Sequence, residues 1–356
     1  MLNETNEKEL NPIEQIKTNL PEWAVAVVKK YLLSNVENCL DPNANYQSEE
    51  TKKAVFAQAQ AINQDFADHL DSRDHHETDW HQMGFLGHTG LVVDSLKKVP
   101  LLLAKENMEL YQTVNKHLSK DVYEYTKKDL LVMAGYLHDI GKFGSRRIKQ
   151  NPDGTIKFKS NGKPDFSFKK HDELSGKIVR EDLKETLYND IYLYDDDIDY
   201  VADCAELHYV LGKIRDEAKK SEKGFCMEFV NSDEFATKAK EYIKKYPEYK
   251  YEIGIFYLAD SLGKYSRQLR KYRNIGLSNR PNLNEVFAEI EIDEAGCSGS
   301  KVQKGIEQLN TAIAAGKRYL TLCLQDDKDQ VEYWRNYEGG NIQSLTNMYF
   351  NGGWDL

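Results

Sequence analysis

Gly135-Tyr136-Leu137-His138-Asp139-Ile140-Gly141-Lys142 is the stretch that decides how this chain is read. It closes an apolar run, Leu130-Leu131-Val132-Met133-Ala134. Ahead of that run, Thr126 and Asp129 have the spacing of a capping box, with Asp where Glu or Gln is usual. The pattern predicts a buried helix from about 127 to 140, stopped by Gly141. A His and an Asp stand side by side at its buried end. Buried carboxylates are costly unless paired or bound to a metal. The doublet is either a satisfied pair that plugs a helix end or part of a larger site, and taken alone it leaves both readings open.

Composition bounds the answer. The 356 residues, 40% hydrophobic, have room for one large domain or for a core with appendages. A net charge of −10 argues against broad, nonspecific nucleic-acid binding, because phosphate contacts need a basic surface. No stretch approaches the ~20 apolar residues of a membrane span. The start, Met1 to Glu9, is polar and acidic and carries no signal-peptide pattern. Cys39, Cys204, Cys226, Cys297 and Cys323 are scattered and lack metal-type spacing. They read as structural residues of a protein in the reducing cytoplasm.

Outward from the doublet, four more helices each carry a metal-capable residue on an apolar stripe. In a helix of about 86–104, His88 shares a face with Leu91, Val92, Ser95, Leu96 and Val99. His171 opens a helix whose face holds Leu174, Ser175, Ile178 and Val179. A helix of about 196–213 aligns His208 with Ile198, Val201 and Ala205. One of about 251–273 aligns Asp260 with Ile253, Phe256 and Tyr257. Each has a bland reading alone, as a satisfied core residue. Together, a shared cation is the economical solution, since it compensates buried carboxylates and orients imidazoles. Six nitrogen and oxygen ligands without a thiolate favour Mn, Fe, Co or Ni, with Mg also compatible, over a closed structural zinc site.

This order of residues resembles the HD-domain superfamily of metal-dependent phosphohydrolases over roughly residues 50–275. The carriers are His88, then His138-Asp139 in a Leu-His-Asp-Ile-Gly-Lys context, then His171, His208 and Asp260. The resemblance implies an all-α helical bundle. It implies that His88, His138, Asp139 and Asp260 hold one divalent metal and His171 and His208 a second, with Asp139 bridging. Lys142 matches the Lys that often follows the doublet and faces the substrate. Two cations would turn a bound water into hydroxide near neutral pH, and a phosphoryl group needs positive donors, for which Lys142, then Arg146 and Arg147, are the candidates. Lys142 also reads as a helix-end cation and the arginines as a surface pair. The implied activity is cleavage of a phosphate ester of a nucleotide or a nucleic-acid end.

Departures narrow the class. The sequence His-Asp-Ile-Gly-Lys-Phe-Gly-Ser differs from the His-Pro-Pro-Phe-Gly-His ending of the dGTPase-like branch. Phe143-Gly144 stand where stringent-response hydrolases carry Glu-Asp. His208 is followed by Tyr209-Val210-Leu211-Gly212, unlike the cyclic-di-GMP branch, which argues against a third metal. Two other readings stay open: a diiron oxygenase on the same fold, and a non-catalytic metal- or nucleotide-binding module.

The segment from Lys142 to Lys170 stands apart. Turn signals at Asn151-Pro-Asp-Gly154 and Asn161-Gly162 flank Thr155-Ile156-Lys157-Phe158-Lys159, which alternates as a strand does. A small β-hairpin is expected. Nine Lys and Arg face two Asp, giving the segment +7 and the remainder −17. Such a field draws phosphate or a nucleic-acid strand toward the centre, or it marks a solvated hairpin whose lysines oppose edge pairing.

Residues 1–45 are expected to be a helical lead, with an amphipathic helix after Pro21, followed by a helix at about 48–70. The loop 71–82, with His75, His76 and His81, either roofs a site or lies in solvent. The catalytic core is expected over 46–275 and an appendage over 276–356. Within the appendage, Ala295–Lys301 lacks phosphate-loop spacing and reads as a turn before a helix of about 301–315. Leu320–Leu324 is a strand or a helix end, and the aromatic tail, Trp334 to Trp354, docks on the core or forms an interface.

Overall fold

The computed structural model describes residues 22–35, 38–70, 84–159, 162–221, 224–264 and 300–336. The readings made for the loop 71–82, for Cys297 and Ala295–Gly299, for helix beyond 264 and for the tail after 336 lie outside these residues, as does the side chain of Trp334.

The chain forms α1 (Glu22–Ser34), α2 (Glu49–Asp68), α3 (Gly84–Glu106), α4 (Met108–Leu118), α5 (Lys127–Leu137) and α6 (Gly141–Ser145). Strands β1 (Arg147–Ile148) and β2 (Phe166–Ser167) follow, then α7 (His171–Glu181), α8 (Lys184–Asn189), α9 (Asp195–Leu207) and α10 (Val210–Ala218). The chain continues with α11 (Met227–Val230), α12 (Asp233–Lys245), α13 (Lys250–Gly263) and α14 (Ser300–Asn336). The fold is all-α with one two-stranded antiparallel sheet.

Thr126 caps the helix as expected, and the Asp129 carboxylate meets its hydroxyl in place of the backbone N–H of a full capping box. Thr126 Oγ1 accepts the Asp129 backbone N–H at 3.2 Å and donates to Asp129 Oδ2 at 2.6 Å. The other end of the helix differs from expectation. α5 stops at Leu137, and Gly141 opens α6 rather than ending a helix. The reason is tertiary. A Cβ on Gly141 would lie 2.1 Å from the His171 carbonyl oxygen and 2.6 Å from the Ser175 nitrogen. Glycine is therefore required by the close approach of α6 to α7. Ser175 Oγ fixes that approach, accepting from the Gly141 N–H at 2.9 Å and donating to the His171 carbonyl at 2.8 Å.

α13 is the central helix. Every residue from Lys250 to Ser261 is buried, as befits a helix that is apolar on nearly all sides. α3 covers one side and α14 another, and α9 and α10 also pack on it. α14 is a single helix, so neither a helix ending near 315 nor a strand at 320–324 forms. Tyr319, Leu320 and Cys323 are fully buried, and a Cβ on Gly254 would meet Leu320 at 2.5 Å. Packing thus keeps the apolar run Leu320–Leu324 helical. At the far end Lys250 Nζ pairs with Asp326 and Asp327, each at 2.7 Å.

The basic segment is more than a hairpin. β1 pairs with β2, and further bridges join Gln150 to Ile156 and Phe158 to Pro164. Ile148 and Ile156 turn inward to a small core with Cys39, Leu40, Val55 and Ala59.

Truncating Leu320 to Ala should cost about 3 kcal/mol, since it deletes a fully buried side chain between α13 and α14. Urea unfolding measures this, and a loss below about 1 kcal/mol would show that α14 is not packed against α13.

Candidate metal centre

Four imidazoles converge on one carboxylate. His138 and His208 stand where α5 and α9 end, in αR geometry, just past the last helical residue. A helix end leaves carbonyls without intrahelical partners. The His138 ring nitrogen Nδ1 donates to the Gly135 carbonyl at 2.8 Å, and His208 Nδ1 to that of Ala205 at 2.6 Å. At the start of α7, His171 Nδ1 donates to the Phe168 carbonyl at 2.9 Å. His88, on α3, donates through Nδ1 to the Gly263 carbonyl at 3.1 Å, at the end of α13. A carbonyl can only accept, so each Nδ1 carries the proton. In the neutral ring each Nε2 then keeps its lone pair.

Those Nε2 atoms face Asp139. Its Oδ2 lies 3.3 Å from His138 Nε2 and 3.4 Å from His88 Nε2. Its Oδ1 lies 3.5 Å from His171 Nε2 and 3.7 Å from His208 Nε2. The Nε2 atoms of His88 and His138 are 3.4 Å apart. Asp260 Oδ1 closes the far side, 3.1 Å from His88 Nε2. All six residues are buried. Phe256 packs its ring against His138 and His208, keeping the pocket dry.

The charge states follow from burial. Burial pushes His88 below its usual range. Burial, with Lys142 nearby, pushes His171 down to about 4. Burial, with the neighbouring His138 and His171, pushes His208 down to about 3. Burial acts in the opposite sense on Asp139, but His138 and Lys142 outweigh it and hold the carboxyl well below the usual carboxylate range. Burial likewise raises Asp260, and Lys264 and His88 overcome it. The centre therefore sets the neutral rings of His88, His171 and His208 against ionised carboxylates, an arrangement that a cation suits.

The geometry fits such a group. Ligand atoms bonded at about 2.1 Å to one ion lie about 3.0–3.4 Å apart. The acceptor separations around Asp139 and Asp260 run from 3.1 to 3.7 Å. Two candidate triads result among the described residues, His88–His138–Asp139 and Asp139–His171–His208, sharing Asp139. Asp260 adjoins the first through His88.

Two lysines attend the carboxylates. Lys142 Nζ donates to Asp139 Oδ2 and is buried above the Phe85 ring. Lys264 Nζ donates to Asp260 Oδ2. The sequence reading omits Lys264, although its i, i+4 spacing from Asp260 is a visible signal. The carbonyls that orient the imidazoles have no sequence signal at all.

Arg146, a candidate for substrate contact, sits among aromatic rings. Arg146 is 2% exposed, and its guanidinium carbon lies 3.9 Å from the Phe66 ring centre and 5.0 Å from that of Phe166, with Phe85 at 5.7 Å. Burial pushes its pKa down to about 9. It packs the meander onto α2 and α3. Arg147, the next residue, is exposed on β1 and lies outside both triads. The α9–α10 break at His208-Tyr209 replaces the continuous helix expected over 196–213. The capture of the Ala205 carbonyl by the His208 ring accompanies that break.

Residues 108–262 match the family model of the HD domain. No curated protein and no solved structure matches the chain. The matched region contains His138, Asp139, His171, His208 and Asp260, whereas His88 comes from α3, ahead of it.

Stability of the chelated protein should fall as pH drops below about 6.5. The unfolded chain then binds protons on His171 and His208 that the folded chain refuses until about pH 4 and 3. The slope is on the order of 1 kcal/mol per pH unit per imidazole. Urea unfolding between pH 7.5 and 5 measures it, and a flat profile would disprove the neutral imidazoles. Gly141→Ala should destabilise the fold by about 2–3 kcal/mol and weaken metal uptake, because backbone of α7 must shift. Wild-type unfolding and metal binding in that variant would contradict the role given to Gly141.

Proposed function

Residues 108–262 carry an HD domain, and from that premise we propose that the chain is a phosphohydrolase with two divalent metals, cleaving a phosphate ester of a nucleotide or of a nucleic-acid end. The HD domain is that of the metal-dependent phosphohydrolase superfamily. One observation carries the finer reading: each oxygen of Asp139 faces its own pair of imidazole nitrogens. A carboxylate set between two ligand groups is what bridging requires.

In this reading His88, His138, Asp139 and Asp260 hold one metal, and His171, His208 and Asp139 the other. Mn, Fe, Co or Ni suits the nitrogen-rich set. When bound, the metals supply a hydroxide at neutral pH and neutralise phosphoryl charge. The chain's own residues do the rest. The four carbonyl-anchored imidazoles keep their Nε2 lone pairs inward without reorganisation. Phe85 and Phe256 exclude water from the ligand set. Lys142, on Asp139 and at the start of the basic segment, is the donor we assign to a phosphoryl oxygen. Arg147 stands further along that segment, where it meets the leaving portion of a larger substrate. The catalytic core in this reading is residues 46–275, and α14 of the 276–356 segment supports its central helix.

Asp139→Ala should lose both metals and reduce turnover of generic phosphomonoesters or phosphodiesters by about 10³-fold or more. Metal analysis paired with turnover in Mn, Ni, Co or Fe checks this. Retained metal in the variant would sink the bridging assignment. Two irons with oxygen uptake and no ester cleavage would replace hydrolysis by oxygenation.

A further inference from the structure

The meander between Lys142 and His171 concentrates Lys and Arg in an otherwise acidic chain. We propose that its outer face is a track for a single strand of nucleic acid, which it leads to the His–Asp centre. The proposal rests on the phosphohydrolase reading and narrows its substrate to a polynucleotide strand.

Three short segments share one junction. Lys149 N–H donates to the Asp165 carbonyl at 2.8 Å, Lys157 N–H to that of Lys149 at 2.8 Å, and Asp165 N–H to that of Lys157 at 2.9 Å. Side chains alternate across such backbone. Ile148 and Ile156 point into the small core beneath. Arg147, Lys149 and Lys157 are exposed, Lys159 and Lys163 partly so, and Lys169 and Lys170 continue the exposed run. The junction thus fixes the order and spacing of the cations, which a disordered lysine tail would not.

The segment itself holds two carboxylates, Asp153 and Asp165. Asp165 pairs with Lys149 at 3.0 Å and lies 3.9 Å from Lys157. Asp153 accepts from the Thr155 hydroxyl and backbone N–H, and Glu173 meets Lys170. The segment keeps +7 against −17 for the rest of the chain. A polyanion is therefore repelled elsewhere and drawn to this face.

Position makes the face useful. One end of the segment is Lys142, on Asp139, and the other reaches Phe168, whose carbonyl holds His171. A strand lying on the meander has the centre at both of its borders. A free nucleotide would use only a fraction of such a surface, and among the described residues no element combines this face with a groove-reading helix, so a single strand is favoured over a duplex.

The test is fluorescence anisotropy of a labelled oligothymidylate of about twenty nucleotides, in EDTA, over a range of salt. Log affinity should fall with log salt at a slope of about −2 to −4, from roughly 0.7 per neutralised phosphate. The variant Lys157→Gln/Lys163→Gln/Lys169→Gln should bind at least about tenfold more weakly, with the slope reduced by about 2. The matching triple Lys→Arg variant should keep wild-type affinity, and thermal unfolding of both checks that each is folded. Salt-independent or undetectable binding by the wild type would overturn the proposal. So would an unchanged slope in the Gln variant, or tighter binding of duplex DNA or of phosphatidylserine vesicles. Because chelated protein cannot turn over, the two readings fail separately. Ester cleavage without strand binding removes the track alone, whereas strand binding without any cleavage keeps the track and removes the hydrolase.

Discussion

The arrangement depends on a conflict between acceptors. Four imidazoles each turn Nδ1 to a backbone carbonyl and Nε2 toward one ionised carboxylate. Neutral rings and carboxylates at 3.1–3.7 Å do not satisfy one another. Positive charge must enter, and Lys142 and Lys264 bring it, Lys142 on the Asp139 oxygen that faces His88 and His138 and Lys264 on the Asp260 oxygen turned away from His88. The burial that makes this conflict severe also keeps His88, His171 and His208 neutral. Selectivity for a cation and exclusion of the proton thus have one cause.

The helices place the conflict by ending where they do. His138 and His208 follow the last residues of α5 and α9, and His171 begins α7. An imidazole at a helix C-terminal end has a spare carbonyl within reach, as His138 and His208 do, and His171, at the start of α7, takes the carbonyl three positions earlier from the chain ahead of the helix. The fourth, His88, takes its carbonyl from the end of α13, so α3 and α13 must be in register for the ring to be aimed. Gly141 sits where backbone approaches too closely for a Cβ, at 2.1 Å from the His171 oxygen, and a Cβ on Gly263 would press on Val92 Cγ2 at 2.7 Å, with His88 Nδ1 at 3.2 Å.

The chemistry-bearing positions are legible in the sequence because each interrupts an apolar stripe with a group that dislikes burial. His88, His138, His171, His208 and Asp260 all show this signal, and the doublet adds Asp139. What periodicity cannot show is where a helix is cut by a tertiary demand. The interruption at His208-Tyr209 and the restart at Gly141 both come from contacts distant in sequence or specific to a side chain. Charge counting likewise treats Arg146 and Arg147 alike, although three phenylalanine rings enclose the first and the second faces solvent. The apolar run Leu320–Leu324 fits strand or helix until Gly254 shows which surface receives it.

The docking of α14 has a consequence for how the chain is made. α13 carries Asp260 and ends at the carbonyl that aims His88, yet the side of it marked by Gly254 and Leu258 is covered by Leu320 and by Gly316, beyond residues 265–299. Synthesis runs from the N-terminus, so the helix that completes the ligand set leaves the ribosome with that side bare. The metal-binding core can be fully translated before it can be sealed. Assembly of the centre is thereby tied to the last quarter of the polypeptide, and a nascent chain that halts at residue 262, where the match to the HD-domain model ends, holds all six residues of the His–Asp cluster without the wall that packs on α13.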